Sequence, residues 1–489
     1  MEKDLTQGSV LKVLLRFSLP YLLSSFLQTF YGMADLYVTG QFNGAAAISA
    51  VSIGSQVMHM LTVMIVGLAM GSTVGLGVSI GSKHTERASR IIGNTVTLFA
   101  AGSVILVVVL MAARNGIISV MSVPTEAVVQ TREYLTICFA GIPFITAYNV
   151  VSSIYRGMGD SRSPMYFVGV ACVLNIALDF LFIGGLGMGA AGAACGTVIS
   201  QAASVVFALF FLRRKASGRT QRVRKNAVKN ASEDVKTSKD IFAGSGTNSS
   251  IGAAAGNVLR FTKKDFLPEK SVISDILNVG VPVAFQDGFI QISFLVITMI
   301  ANRRGVDVAA SVGIVEKIIS FLFLVPSAML SSVSAIAAQN RGAGQHERAR
   351  KTLYYAMLVS VSFGVICFVL CQFLPEQFVG LFSSEETVRV LGAQYLRSYS
   401  VDCIVASIHF CFSGFFCAYG VSGFSFAHNL ISVLLVRIPG AYLATKLFPD
   451  TLFPMGLAAP AGSTLSALIC VALFLIFREK FGRERKFNK

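Results

Sequence analysis

Long apolar stretches recur along the whole chain and are separated by short polar breaks. Most of them contain about 20 residues or more, which is the length that a helix needs to cross roughly 30 Å of hydrocarbon. They predict twelve membrane-spanning helices, at 14–40, 46–78, 91–113, 130–155, 164–186, 189–212, 275–301, 308–338, 353–374, 389–418, 424–446 and 456–477. The chain is therefore expected to be an all-α integral membrane protein.

Two parts of the chain carry the same polar turn. The segment SIGSKHTERASR at 79–90 is similar to NRGAGQHERARK at 340–351. The same spacing aligns Gly159 with Gly420. Repeated membrane halves of this kind are typical of transporters in which one half moves against the other. We therefore predict two pseudo-symmetric bundles of six helices each.

Composition divides the chain into four parts. The first bundle is assigned to 1–212 and the second bundle to 271–478. Residues 213–270 between them are basic and rich in Ser, Gly and Asn, so we expect a disordered cytoplasmic linker there. Residues 479–489 form a basic cytoplasmic tail.

Positive charge is concentrated in the breaks on one side of the predicted spans. The formal net charge is +16, although only 13% of the residues are charged against about 25% in soluble domains. If both termini are cytoplasmic, the linker, the tail and most Lys and Arg lie inside, as the positive-inside rule requires. We predict a multi-pass protein of the plasma or inner membrane with both termini in the cytoplasm. Because the charge is explained by topology, nucleic acid is not expected as a partner.

Two carboxylates lie inside predicted spans of the first half. Asp35 falls in span one and Asp179 in span five. An acid at the centre of a span costs about 2.5 to 3.5 kcal/mol, so each is a functional candidate. Neutral oxygens on nearby spans are provided by Asn175, Tyr134, Asn149 and Thr197. This set suits a Na⁺ ion or a proton on a buried carboxyl, unless each Asp only caps a kinked helix or pairs with an amide.

Longer segments resemble a known family. They are SLPYLLSSFLQTFYGMADLYVTG in span one, RGMGDSRSP after span four, LNIALDFLFIGGLGMGAAGAACGT across spans five and six, and QNRGAG after span eight. Outside the linker, the chain resembles the multidrug and toxic compound extrusion (MATE) family of cation-coupled efflux transporters. It is most similar to the bacterial and archaeal branch of that family.

The resemblance implies roles for the polar residues of the first half. In that branch an Asp in span one and an Asp in span five hold the coupling ion, so Asp35 and Asp179 are expected to bind H⁺ or Na⁺. The same network is implied for Asn175, Thr197, Tyr134 and Asn149. Pro20 matches the proline at which the first helix bends, and within one residue it aligns with Pro282 of the second half.

The resemblance also implies a mechanism. A V-shaped cavity between the two bundles would take up organic, cationic and amphipathic compounds and export them by alternating access in exchange for H⁺ or Na⁺. Small organic substrates and membrane lipid are then the expected partners. No cofactor other than the coupling ion and no catalytic residue is expected, and the chain is predicted to act as a monomer.

The second half has a different set of polar residues. Another branch of the family carries a Glu in span seven where this chain has Ile290, so a coupling site of that kind is not expected. Pairing across helices or gating is the expected role of the charged residues here, with substrate contact as the alternative. The candidates for polar or substrate contacts are Gln28, Asp287, Gln291, Glu316, Lys317, Arg397, Asp402, His409 and Arg437.

Two other functions compete with drug export. A flippase for lipid-linked saccharides would need clustered basic residues to hold a pyrophosphate, and Lys317, Arg397 and Arg437 keep that alternative open. The residues Gly157, Gly159 and Asp160 form the GxGD pattern of intramembrane aspartyl proteases, but that chemistry needs a second, facing Asp. We therefore predict that the chain is not an enzyme. It also lacks the nucleotide-binding pattern GxxxxGK[ST], so ATP-driven pumping by this chain alone is not expected.

Overall fold

A computed structural model describes residues 4–121, 123–211 and 262–477. Within these residues the chain forms ten apolar helices long enough to span a membrane and two bent helix pairs that complete a set of twelve. The first half contains α1 Val10–Phe42, α2 Ala45–Gly81, α3 Thr85–Val120, α4 Thr125–Ala140 with Ile142–Gly157, α5 Arg162–Gly185 and α6 Gly189–Phe211. The second half contains α7 Lys270–Asn302, α8 Val306–Gly342, α9 His346–Phe373, α10 Glu386–Tyr399 with Asp402–Ala418, α11 Ser422–Leu447 and α12 Phe453–Phe477. The predicted number of spans is confirmed.

Irregularities fall in corresponding helices of the two halves. The helix α4 bends by 50° after Ala140, and α10 bends by 44° after Tyr399. In α4, Pro143 follows the break and has no N–H to donate to the preceding turn. The helices α5 and α11 each contain a π-helical segment, at Phe180–Gly185 and Val433–Arg437. Such segments are frequent at functional sites. Here the first segment follows Asp179 and the second contains Arg437, and both of these polar residues lie in the interior.

The internal repeat extends to individual backbone hydrogen bonds. After α2 the N–H of His84 donates to the carbonyl of Ser79 at 2.9 Å, and after α8 the N–H of Gln345 donates to Asn340 at 2.8 Å. Both turns use one left-handed residue, Lys83 in the first and Gly344 in the second. The aligned pair Gly159 and Gly420 is also left-handed in both halves, with φ of 81° and 72°. A glycine suits these positions because it has no Cβ to clash.

Among the described residues, the hydrophobic clusters that join the two halves lie toward one end, which we call the closed end. The larger cluster takes side chains from both bundles, among them Leu14, Phe17, Met70, Val74, Val279, Val283, Ile336 and Phe415. A second cluster joins Val272 and Ile276 of α7 to first-half residues around Leu76. Toward the other end, the clusters each belong to a single half, around Phe139 in the first half and around Tyr395 in the second. The bundles therefore meet at the closed end and separate toward the other, which is the V-shaped arrangement that was predicted.

Glycines bring the helix ends together at the closed end. A Cβ at Gly81 would overlap the carbonyl oxygen of Gln339, and a Cβ at Gly342 would overlap that of Val78. These two contacts are equivalents under the sequence repeat, because the same spacing relates both pairs. The last turns of α2 and α8 thus cross backbone to backbone, at a distance that only glycine permits.

Two arginines that are equivalent under the repeat, Arg87 and Arg348, join the two halves at the closed end. Arg87 of α3 forms an ion pair with Asp275 near the start of α7, with 2.8 Å between nitrogen and oxygen. Its equivalent Arg348 of α9 donates to the carbonyls of Gln7 and Gly8, which precede α1, at 2.9 and 2.6 Å. Each half therefore binds the beginning of the first helix of the other half.

The end of the predicted linker is ordered. Residues 213–261 of the linker and the tail 479–489 lie outside the described residues. A short 3₁₀ helix, Lys263–Phe266, lies against α3, where Asn94 Nδ2 donates to the carbonyl of Asp265 at 3.2 Å. Asn94 Oδ1 accepts the N–H of Glu269 at 2.7 Å. For residues 262–270 the structure differs from the predicted disorder, because these backbone groups have partners on α3.

Candidate functional site

The two acids of the first half lie side by side in its interior. Asp35 is 5% exposed and Asp179 is fully buried. Their carboxyl groups adjoin each other, although they come from helices α1 and α5. Thr197 of α6 donates its hydroxyl to Asp35 Oδ2 at 3.2 Å. The structure therefore brings Asp35, Asp179 and Thr197 together, and their joint role in ion binding stays a prediction.

Several polar atoms around the acids have no partner among the described residues. These atoms are Asp35 Oδ1, both carboxyl oxygens of Asp179, and the amide oxygen and nitrogen of Asn175. Asn175 lies one turn before Asp179 and is fully buried. An unpaired buried polar group costs about 1 to 3 kcal/mol, so a site with this many such groups is suited to an added proton or ion.

A glycine makes room for the acid pair. A Cβ at Gly196 of α6 would overlap Asp179 Oδ1 and would lie 3.6 Å from the amide nitrogen of Asn175. Since a backbone without a side chain faces the carboxyl here, α6 can pack closely against α5. Sequence reasoning missed Gly196, and the only signal was its place in the small-residue run GAACGT, one residue before Thr197.

The two remaining candidates of the first half, Tyr134 and Asn149, differ in their relation to the acid pair. Tyr134 is 2% exposed, packs its ring on Gly54 and lies close enough to both acids to interact with them electrostatically. Asn149 is also buried, but its amide donates to the carbonyl of Ile145 on its own helix at 2.8 Å. Among the described residues, no hydrogen bond joins Asn149 to either acid. The structure thus places Tyr134 near the predicted network and gives Asn149 a partner within α4.

Two polar pairs extend the site along α1. Gln201 Nε2 donates to the hydroxyl of Tyr31 at 3.5 Å, and Gln28 Nε2 donates to the hydroxyl of Tyr148 at 3.3 Å. Gln28 was predicted as one of the second-half contacts, but its side chain donates to Tyr148, which belongs to the first half. The spacing 28, 31 and 35 places three polar residues on one face of α1, a signal that sequence reasoning missed.

The helix α1 is continuous through Pro20. A proline inside a helix cannot donate to the carbonyl four residues earlier, and it weakens the helix there. Ser24 also donates its hydroxyl to the carbonyl of Pro20 at 2.8 Å. Bending at Pro20 needs a second conformation to be observed, so it stays a prediction.

Part of the second-half set gathers around a cavity between α7, α8, α10, α11 and α12. Asp402, His409 and Arg437 line it. Glu316 lies near Arg437 and accepts the hydroxyl of Thr298 at 3.2 Å. Asn429 also lines the cavity and was missed, although its position two turns before Arg437 on α11 was a usable signal.

The other second-half candidates lie elsewhere. Asp287 faces α2 of the first half, since a Cβ at Gly67 would lie 3.0 Å from its Oδ2. Lys317 and Arg397 are exposed. These residues and Gln291 do not line the second-half cavity.

The GxGD pattern has a structural explanation. Asp160 accepts the backbone N–H groups of Arg162 and Ser163, both at 3.1 Å, and the hydroxyl of Ser163 at 2.7 Å. These donors belong to the first turn of α5, whose N–H groups have no partner within the helix. Asp160 therefore caps α5.

Comparison with known protein families also divides the chain into two similar halves. The profile of the family described as MatE matches residues 20–181 and again 282–443, so both matches begin at an aligned proline. "Probable multidrug resistance protein YpnP" of Bacillus subtilis (strain 168) is 26% identical over 98% of this chain and 97% of its own length. "Multidrug export protein MepA" of Staphylococcus haemolyticus (strain JCSC1435) is 23% identical over 96% and 94%.

A solved structure has the same fold. "Crystal structure of MATE in complex with MaL6" matches with a TM-score of 0.82 over 98% of both chains, at 21% identity. The match covers both bundles, so the arrangement of all twelve spans is shared. Because the two profile matches also cover more than half of the 489 residues, the chain belongs to the MatE family.

Proposed function

We propose that this protein is a cation-coupled antiporter that exports organic, cationic and amphipathic compounds across the cell membrane. H⁺ or Na⁺ is the coupling ion, and Asp35 and Asp179 bind it. The drug-export part of the proposal is supported by the similarity to YpnP, a probable multidrug resistance protein, and to MepA, a multidrug export protein. The coupling part is supported by the geometry of the acid pair.

The observation that carries the coupling is the juxtaposition of two buried carboxyl groups without a basic partner. Among the residues that the structure describes, no Lys or Arg is one of the groups that interact strongly with Asp35 or Asp179. Two adjacent carboxylates in a low-dielectric interior repel each other, so the pair takes up a proton or a monovalent cation. The orphaned amide oxygen of Asn175 and the hydroxyl of Thr197 would supply neutral ligands if the ion is Na⁺.

The closed end is proposed to face the cytoplasm. Arg87, Arg90 and Arg348 lie there, as the positive-inside rule favours. Both termini are then cytoplasmic, and the conformation described is open to the outside. Export requires a second conformation in which the closed end opens and the opposite end closes.

Ion binding is proposed to change the equilibrium between these two conformations. The acid pair connects α1 to α5 and, through Thr197, to α6. Neutralising the pair removes the repulsion between the carboxyls, which allows these helices to pack more tightly and alters the wall of the cavity. A ligand shifts such an equilibrium only by its difference in affinity for the two states. The outward-open state must therefore bind the ion better and the organic cation worse.

Ethidium transport into proteoliposomes tests the proposal. Ethidium is a permanent monovalent organic cation, and Na⁺ and pH gradients can be imposed separately at a clamped membrane potential. We expect uptake or release to follow one of the gradients and to be unaffected by voltage if the exchange is one to one, because equal charges then cross in both directions. Ethidium transport that depends on neither the Na⁺ gradient nor the pH gradient would overturn the proposal.

Substitution of Gly196 by Ala should impair coupling without unfolding the protein. The added Cβ would displace the carboxyl group of Asp179, and we expect ion-driven ethidium transport to fall by about tenfold to a hundredfold, since a misplacement of about 1 Å in a precisely arranged site can cost up to about a hundredfold. Gly169 of α5 is the matched control, because a Cβ there meets no atom within 4 Å. Equal transport by Gly196→Ala and Gly169→Ala would contradict the assigned geometry.

The flippase alternative receives less support. It requires several basic residues around one cavity, to hold a pyrophosphate. Of Lys317, Arg397 and Arg437, only Arg437 lines the second-half cavity, and two carboxylates lie near it. We therefore retain drug export as the proposed function.

A further inference from the structure

The segment that leads into α7 lies across α3 of the other half. We call this segment, residues 262–269, the strap. The amide of Asn94 donates to the carbonyl of Asp265 at 3.2 Å, and the hydroxyl of Thr97 donates to the carbonyl of Phe266 at 2.8 Å. The strap is therefore held on α3 through its backbone carbonyls.

These contacts place the strap near the edge of the hydrocarbon. The helix α3 begins at Thr85, but its apolar stretch begins only near residue 91. Asn94 and Thr97 lie about 5 and 9 Å beyond that point along the helix axis. An amphipathic segment on a membrane lies about 5 to 10 Å deep, at the boundary between headgroups and acyl chains. The strap is at the depth of that boundary.

The exposed side chains of the strap are of two kinds. Lys263 and Lys264 are exposed, and they are followed by the exposed apolar residues Phe266 and Leu267. Val96 on the adjoining face of α3 is exposed as well. Cations beside apolar side chains are typical of segments at a membrane surface, where the apolar groups contact acyl chains and the lysines reach the headgroups.

The acids of the strap are already engaged, whereas its lysines are not. The carboxylate of Asp265 accepts the backbone N–H and the hydroxyl of Thr262, at 2.7 and 2.9 Å. Glu269 pairs with Arg90 of α3, with 3.6 Å between oxygen and nitrogen. Among the described residues, no ion pair includes either lysine of the strap. The strap therefore presents uncompensated positive charge at the membrane boundary.

We propose that the strap binds acidic phospholipid, with Lys263 and Lys264 at the headgroup phosphate and Leu267 among the acyl chains. A zwitterionic lipid also has a phosphate, but its own ammonium group offsets that charge, so the site selects lipids with a net negative charge. The proposal rests on the proposed function only in assigning the closed end, and hence this lipid, to the cytoplasmic leaflet. The lipid is bound at a junction between the two halves, because the strap leads into α7 and lies on α3.

A single tryptophan on the strap tests the proposal. The chain contains no Trp, so Leu267→Trp gives the full-length protein one such fluorophore. The protein is placed in nanodiscs of phosphatidylglycerol and phosphatidylcholine in equal amounts, and one lipid at a time carries brominated acyl chains that quench Trp fluorescence. We expect phosphatidylglycerol to be enriched at least about fivefold beside position 267, since each lysine near an anionic headgroup contributes on this scale.

The sequence repeat supplies the control position. Leu358 of α9 is aligned with Thr97 of α3, and it is 61% exposed against 64% for Leu267. For Leu358→Trp we expect an enrichment of phosphatidylglycerol below about twofold, because no strap with free lysines is described beside α9. Equal enrichment at the two positions would overturn the proposal.

Charge variants separate the lysines from the apolar contact. In the Leu267→Trp protein, Lys263→Gln combined with Lys264→Gln should lower the enrichment to the value found at position 358. Quenching by brominated phosphatidylcholine should persist, which shows that the strap remains folded at the membrane. Lys446→Gln, which changes an exposed lysine near the end of α11, is the matched control. Selectivity that survives the loss of both strap lysines would contradict the assigned site.

A glycine variant tests whether docking on α3 builds the site. A Cβ at Gly93 would overlap the carbonyl oxygen of Asp265, whereas a Cβ at Gly102 of the same helix meets no atom within 4 Å. Gly93→Ala should therefore reduce the enrichment at position 267, and Gly102→Ala should not. If neither brominated lipid quenches a Trp at position 267, the strap does not contact the bilayer and the proposal is wrong.

The lipid measurement is independent of transport. It uses no ion gradient and no organic cation, and both leaflets of the nanodisc have the same composition. Loss of ion-driven ethidium transport together with lysine-dependent enrichment of phosphatidylglycerol would overturn the coupling proposal alone. Normal coupling without any enrichment at position 267 would overturn the lipid site alone.

Discussion

Replacement of Asp35 by Asn is expected to lower ion-driven ethidium transport by about a hundredfold or more while the protein remains folded. Asn has nearly the same shape as Asp, and its amide oxygen can still accept the hydroxyl of Thr197. However, it can neither take up a proton nor neutralise a cation. The measurement is ethidium transport in proteoliposomes under the gradient that drives the wild type, with thermal unfolding as the check on folding.

Asp179→Asn should have an effect of the same size, and the double variant should be no worse than either single variant. Residues that act as a unit are strongly non-additive in this way. Glu133→Gln is the matched control, because Glu133 is an exposed carboxylate on α4 of the same half. Normal ion-driven transport by Asp35→Asn would refute the role assigned to the acid pair.

Replacement of Gly342 by Val is expected to prevent the closed end from packing. The new Cβ would overlap the carbonyl oxygen of Val78, and a rotamer change cannot relieve a clash with backbone. Overpacking costs about 1 to 3 kcal/mol, which lowers the ratio of closed to open molecules by about fivefold to 150-fold. The measurement is labelling of Cys417 by a membrane-impermeant maleimide, in a background where Cys417 is the sole cysteine, because this thiol is buried in the shared core.

The sequence repeat supplies the control and a second test. Gly81→Val should increase labelling of Cys417 to a similar extent, because Gly81 makes the equivalent contact with Gln339. Gly313→Val in the same helix α8 should not, since a Cβ at Gly313 meets no atom within 4 Å. Unchanged labelling of Gly342→Val would show that the crossing of α2 and α8 is not required for closure.

Much of the fold was predictable because a membrane imposes simple rules on the sequence. Each span must be long and apolar, and this alone predicted the twelve spans that the structure contains. The helices continue beyond the apolar stretches, as α3 does from Thr85 to Val120, because polar residues can extend a helix past the hydrocarbon. The breaks in α4 and α10 were not predicted, since a bend leaves the apolar pattern unchanged.

The candidate site was predictable where chemistry makes a residue unusual. Asp35 and Asp179 were found because an acid in a span is costly. Gly196 and Gln201 were missed because glycine and glutamine are unremarkable in isolation. In the second half, sequence reasoning selected a set of polar residues but could not tell that Asp402, His409 and Arg437 share a cavity while Lys317 is exposed.

The sequence by itself determined the number of spans, the repeat, and which acids fall inside spans, where a buried carboxyl group is costly. These properties depend on the local cost of placing each residue in a membrane, which composition and spacing express directly. Only the tertiary structure decided that Asp35 and Asp179 adjoin each other, that Gly81 and Gly342 cross backbones, and that Arg437 faces a cavity. Such contacts depend on how helices that are distant in sequence pack together. No local pattern in the sequence shows which helices will pack against each other.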